Sequence, residues 1–186
     1  MNRIRVALVG DSITELSGYP DYLANLLGTN FEVKNFGVSG SNALLDAPYP
    51  YLSTSALRDS LTFQPNAVVV MLGTNDASIE LEPYLGNLEQ DYTMLIQKFQ
   101  TSSTKPRVWL AKPPHIYGEM HGLSNPILEQ QIIPSIEQVA KRLGLPLIDV
   151  HSALNSPRFF LDGVHPNDLG AKAIAEAVYR AIKARF

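Results

Sequence analysis

The chain contains no cysteine, which removes disulfides, thiol nucleophiles and thiolate metal sites in one step. It has no basic cluster either. Lys and Arg number 15 against 18 Asp and Glu, for a net charge of −3, and their scatter along the chain argues against nucleic acid as a partner. No apolar run is long enough to span a bilayer, and no signal-type segment ending in small residues precedes the first strand. Membrane association is therefore not expected, and a cytoplasmic location is the default, with secretion after removal of a leader as the alternative. The oligomeric state is left open.

What the chain does have is apolar bulk and frequent turns. Hydrophobic residues make up 45% of its 186 residues, enough to build a core without a metal or a covalent staple. This length fits one domain, residues 1–186.

Five apolar runs alternate with amphipathic segments from end to end. The run from Ile4 to Gly10 and the continuously apolar Ala67 to Leu72 predict strands buried on both faces, and Phe31 to Gly37 alternates as a half-exposed strand near a sheet edge. Arg107 to Ala111 and Leu147 to Val150 predict a fourth and a fifth strand. Between them, helices are predicted over Asp21 to Leu27, Ser55 to Leu61, Glu82 to Phe99 with Pro83 in its first turn, a segment after the loop through Ser124 and up to Leu143, capped by Gly144, and Leu169 to Ala184. The stretch from Asp46 to Ser55, with Pro48, Tyr49, Pro50 and Tyr51, is too irregular for a regular element. Its tyrosines either line a cleft or pack on the core.

Such alternation means βαβ units and an α/β fold: a three-layer α/β/α sandwich on a five-stranded, mainly parallel sheet. A flavodoxin-like order 2-1-3-4-5 puts a switch point between strands one and three, where ligands of open α/β sheets bind. Ser12, Gly40 and Asn75 then converge at that edge.

Ser12 follows Gly10-Asp11 at the end of the first strand and is the candidate nucleophile. A serine hydroxyl needs a base to take its proton and gains from a carboxylate that orients the base. His165 is the candidate base, with Asp162 three residues before it, Gly163 between them, and Pro166 disfavouring a helical conformation at His165. The backbone N–H groups of Ser12 and Gly40 and the side-chain amide of Asn75 are candidate donors to a developing oxyanion. His115, His121 and His151 have no acidic residue at comparable spacing and read as surface or loop residues, His115 with a place at the cleft after Pro113-Pro114. No metal site and no cofactor are expected.

Four blocks taken together, Gly10-Asp11-Ser12, Asn35-Phe36-Gly37-Val38-Ser39-Gly40, Gly73-Thr74-Asn75-Asp76 and Asp162-Gly163-Val164-His165-Pro166, resemble in order the signature blocks of the SGNH hydrolases, the GDSL esterase and lipase family. The resemblance covers essentially the whole chain, with Ile13 in place of the leucine of the family name. It implies a compact α/β/α fold, a triad of Ser12, Asp162 and His165, and an oxyanion hole from Ser12, Gly40 and Asn75. The wording Gly-Asp-Ser-Ile-Thr and Asp-Gly-Val-His-Pro-Asn looks most like carbohydrate O-acetylesterases. The implied substrate is a small ester or an acetylated sugar. A thioesterase or lysophospholipase of the same family is the near alternative, and a flavodoxin-like phosphate- or nucleotide-binding module the distant one.

Overall fold

Val6 to Val9 and Ala67 to Met71 are fully apolar because their strands occupy the middle of the sheet, where both faces are covered. The computed structural model describes residues 3–118, 120 and 122–186, so His121 lies outside the described residues. Strand β1 (Ile4–Gly10) pairs in parallel with β2 (Phe31–Gly37) on one side and β3 (Ala67–Met71) on the other. β3 pairs with β4 (Arg107–Ala111), and β4 with the short β5 (Leu147–Ile148). The order is β2-β1-β3-β4-β5, as expected, with β2 at one edge.

Alternate strand residues feed opposite faces, as a period of two requires. Ala7, Val9, Val68, Val70, Val108 and Leu110 join one core, covered by α3 (Ser55–Thr62), α4 (Leu88–Gln100) and α6 (Ile133–Leu143). Val6, Leu8, Val69, Met71, Trp109 and Ala111 join the other, beneath α2 (Tyr19–Leu27) and α8 (Asp168–Lys183). Each fully buried aliphatic or aromatic side chain contributes about 1.5–3 kcal/mol. Three short helices complete the set: α1 (Ser12–Leu16), α5 (Asn125–Ile127) and α7 (Val150–Ala153).

Three expectations change. The helix expected from Glu82 to Phe99 is α-helical only from Leu88, and Ile79–Asn87 winds as a tighter 3-10 segment with Pro83 inside it. Proline cannot donate to the turn before it, and Gly86 adds further backbone freedom against an α-helix. The helix before Leu143 is interrupted by a π-helical turn at Leu128–Ile132, just before Pro134. That proline has no N–H for the carbonyl of Gln130, and a widened turn takes up the mismatch. The fifth strand ends at Ile148 because Asp149 turns to cap α7, accepting the Ser152 N–H at 3.0 Å.

Candidate active site

Strand β1 delivers its last residue against a sharp stop. Asp11 accepts the Ile13 N–H at 2.9 Å through Oδ1, capping α1 and making Ser12 the first helical residue. An N–H at that position has no partner within its own helix, and none among the described residues accepts it. Asp11 itself is 1% exposed, and its second oxygen meets no donor among the described residues. Burial, above all, pushes its carboxyl up to about 7; the Ile13 N–H works against that and the Asp76 charge with it.

The partner of Ser12 comes from the loop before α8. Gly163 has φ +90°, and a Cβ there would stand 2.5 Å from the Tyr117 carbonyl oxygen, so the loop can double back only over glycine. Inside the bend, Asp162 Oδ1 accepts the N–H groups of Val164 at 2.9 Å and His165 at 2.7 Å. Its Oδ2 lies 2.8 Å from His165 Nδ1. His165 Nε2 lies 3.0 Å from Ser12 Oγ, across 153 positions of sequence. Burial raises the Asp162 pKa, but the N–H of His165, its ring and the N–H of Val164 outweigh that and hold the carboxyl below its ordinary value. A charged carboxylate thus fixes one ring nitrogen and turns the other to the hydroxyl.

The third side of the site is the turn after β2. Gly40 has φ +76° and open space where a side chain would stand, and its N–H meets no acceptor among the described residues. Two anchors hold this turn. Glu15 accepts the Ser39 N–H at 2.7 Å and the Ser39 hydroxyl, and Asn75 Nδ2 donates to the Ser41 carbonyl at 3.0 Å. Beyond the turn, Asp76 accepts the N–H groups of Ala43 at 3.0 Å and Leu44 at 2.8 Å, and Asp91 that of Leu45 at 2.8 Å. Ser12, Gly40, Asn75 and His165 line one cleft of about 520 Å³.

This constellation coincides with a match in sequence: residues 8–173 fit the GDSL-like lipase/acylhydrolase family. The chain belongs to that family. A curated relative is an acetylxylan esterase of Xylanibacter ruminicola, 33% identical over 207 residues and covering 97% of this chain. The chain spans only 43% of that protein's length. Among solved structures, the native aryl esterase of M. smegmatis is similar over 98% of this chain and 100% of its own, with a TM-score of 0.79 at 20% identity. A carbohydrate acetylesterase of Sinorhizobium meliloti aligns over 99% and 100% of the two chains, with a TM-score of 0.79 at 17% identity. An acetylxylan esterase of Geobacillus stearothermophilus aligns over 97% and 94%, at 0.74 and 21%. At these identities the structures speak for the fold.

The family's four blocks thus lie around one cleft, and Ser12, Asp162 and His165 meet within hydrogen-bond reach. The irregular stretch from Asp46 to Ser55 divides between its two readings. Tyr49 lines the cleft and is 70% exposed, whereas Tyr51 is fully buried and donates to the Phe36 carbonyl at 2.6 Å. His115 does lie in a loop, the segment after β4, whereas His151 sits in α7, and both side chains are partly covered, 20% and 14% exposed. His115 does not line the cleft. Both rings face Glu129, which is distant in sequence, so a search for neighbouring acids overlooks them. Of the anchors Glu15, Asp76 and Asp91, only Asp76 carries a sequence signal, its place beside Asn75 in a signature block.

Proposed function

We propose that residues 1–186 act as one catalytic domain, a serine esterase that removes short acyl groups, acetyl above all, from carbohydrates. The observation that carries this reading is the chain of contacts from Ser12 Oγ to His165 Nε2 at 3.0 Å and from His165 Nδ1 to Asp162 at 2.8 Å. Ser12 attacks the ester carbonyl as His165 takes its proton, and Asp162 stabilises the imidazolium that forms. His165 then returns the proton to the leaving alcohol, and water, activated by the same ring, releases the carboxylate from the acyl-enzyme. The N–H groups of Ser12 and Gly40 and the Asn75 amide receive the negative charge on the former carbonyl oxygen. One Asn75 hydrogen is spent on Ser41, which orients the amide and leaves the other for this task. Each step uses only the chain's own groups and water.

The preference for a small acyl group on a polar carrier rests on the cleft. Beside the apolar side chains of Leu16, Tyr49, Leu81, Met120 and Leu123 it sets the polar groups of Ser39, Asn42, Ser78 and Glu80, and these polar groups offer hydrogen bonds to a sugar carrier next to an apolar seat for the acyl group. The names of the acetylxylan esterase relatives agree with that choice.

Ser12→Ala tests the mechanism, and a graded ester panel tests the substrate. The variant should lose hydrolysis of p-nitrophenyl acetate by about 10³- to 10⁶-fold, the range for removal of a serine nucleophile, with unchanged melting temperature. Full activity in the variant would reject the mechanism. Esters from acetyl to octanoyl, run beside acetylated xylo-oligosaccharides, should show acetyl preferred. A preference for long chains or thioesters would favour the lysophospholipase or thioesterase reading.

A further inference from the structure

Behind the loop that carries His165, three segments bring together two imidazoles and a carboxylate. His115 from the segment after β4, Glu129 from the π-helical turn and His151 from α7 meet at one oxygen. Glu129 Oε1 lies 3.2 Å from His115 Nδ1 and 3.4 Å from His151 Nε2. The two ring centroids lie 3.6 Å apart with their planes inclined at 36°, and the candidate ligand atoms of all three residues lie within 4.8 Å of one another. Glu129 keeps 43% of its side chain exposed, so the cluster opens to solvent on that side.

Hydrogen positions decide what the Glu129 oxygen faces. His151 Nδ1 stands 3.0 Å from the carbonyl oxygen of Pro113. A carbonyl only accepts, so this nitrogen carries the hydrogen, and in a neutral ring Nε2 is then a bare lone pair. That lone pair points at a carboxylate oxygen. The contact is attractive only with a positive charge in the gap, either a proton on Nε2 or a metal ion. A metal ion lets both rings remain neutral and binds all three groups at once.

We propose that His115, Glu129 and His151 form a binding site for a divalent cation of the zinc type. Two nitrogen donors and one carboxylate suit zinc and its neighbours, whereas calcium and magnesium take oxygen alone. Donor atoms around a tetrahedral zinc stand about 3.3–3.5 Å from one another, close to the 3.2 and 3.4 Å separations from Glu129. A ligating imidazole usually gives its other N–H to a carbonyl or carboxylate, which fixes tautomer and ring orientation, and the Pro113 carbonyl does this for His151. The π-helical turn brings one Glu129 oxygen to a nitrogen of each ring, and water completes the coordination from the open side.

The site ties the segment after β4 to the helical layer. Two residues beyond His115, the Tyr117 N–H donates to the Gly163 carbonyl at 2.7 Å, inside the Asp162 to His165 bend. A bound cation therefore braces the strap behind that bend while remaining outside the cleft.

Titration of the metal-free protein with Co²⁺ should give a visible d–d absorption band that saturates at one equivalent and is bleached by Zn²⁺. Calorimetry should show one Zn²⁺ per chain and no comparable binding of Mg²⁺ or Ca²⁺. Glu129→Gln and His115→Ala should each weaken Zn²⁺ binding by more than about 100-fold, since losing only the hydrogen-bond partner of a ligand costs about 10–100-fold. His165→Ala, which leaves the cluster intact, should keep the one-to-one site and the Co²⁺ band. Absence of stoichiometric binding in the wild type overturns the proposal and leaves a proton in the gap. Binding that survives Glu129→Gln, or is lost in His165→Ala, overturns it too by placing the ion elsewhere. Should His115→Ala fail to fold, the near-isosteric and half-exposed Glu129→Gln decides alone.

Discussion

One carboxylate does two jobs in the loop before α8. Asp162 closes the bend with one oxygen and holds the His165 ring with the other. Asp162→Asn separates these jobs, because the remaining carbonyl oxygen can still accept the Val164 and His165 N–H groups while the amide presents a donor to Nδ1. The ring then takes the tautomer with its hydrogen on Nε2 and cannot accept a proton from Ser12. We expect hydrolysis of p-nitrophenyl acetate to fall about 10³- to 10⁴-fold in kcat, the scale of tautomer loss in a serine triad, with the melting temperature within a few degrees of wild type. A loss below tenfold would mean that Asp162 serves only the bend. This pair was legible in the sequence because its geometry is local: an acid, a glycine and a histidine within four positions need only a tight turn to meet. The cluster of His115, Glu129 and His151 was not, since three separate segments supply it and no local spacing announces it.

At the scale of elements, what the sequence shows clearly is where the sheet runs. Continuous apolar runs mark β1 and β3 as central, and the alternating run of β2 marks an edge, because strand periodicity records how many faces are buried. It is less plain about helix type: Ile79–Asn87 and Leu128–Ile132 have apolar spacing compatible with an α-helix, yet proline and packing wind them otherwise. The pins that hold loops over the sheet edge are likewise invisible beforehand, as a buried aspartate looks like any other. Asp76 is one such pin, taking two backbone N–H groups from the segment beyond Gly40. Asp76→Ala leaves both N–H groups unpaired in a buried place, at about 1–3 kcal/mol each. Urea unfolding should show a loss of about 2–6 kcal/mol, and kcat should fall as the Gly40 N–H drifts from its position. If stability were unchanged, water would be serving those N–H groups, and Asp76 would not be what fixes the turn.

For the molecule as a whole, the buried aspartates beneath the site set how stability depends on pH. Burial, chiefly, raises the carboxyl of Asp11 to about 7 and that of Asp76 to about 6, both above the ordinary value they regain on unfolding. Between about pH 4 and these raised values the folded protein holds protons that the unfolded chain has released, so stability falls as pH climbs through that window. Each group contributes at most about 1.4 kcal/mol per pH unit to that slope. The opposite sense applies to Asp149 and Asp162. For both, the hydrogen bonds made in the fold outweigh burial and leave the pKa below its ordinary value, so their contribution is present above the ordinary carboxylate range and is lost as pH falls beneath it. Stability should therefore peak on the acid side of neutrality, at about pH 4–5, and decline toward pH 7. Asp11→Asn keeps an oxygen to cap Ile13 but removes the titration that spans more of this window, so the decline between pH 5 and 7 should be about a third as steep as in the wild type. Urea midpoints at half-unit pH steps measure both slopes. Equal slopes in the two proteins would show that Asp11 ionises at its ordinary value despite its burial, with its second oxygen reached by water.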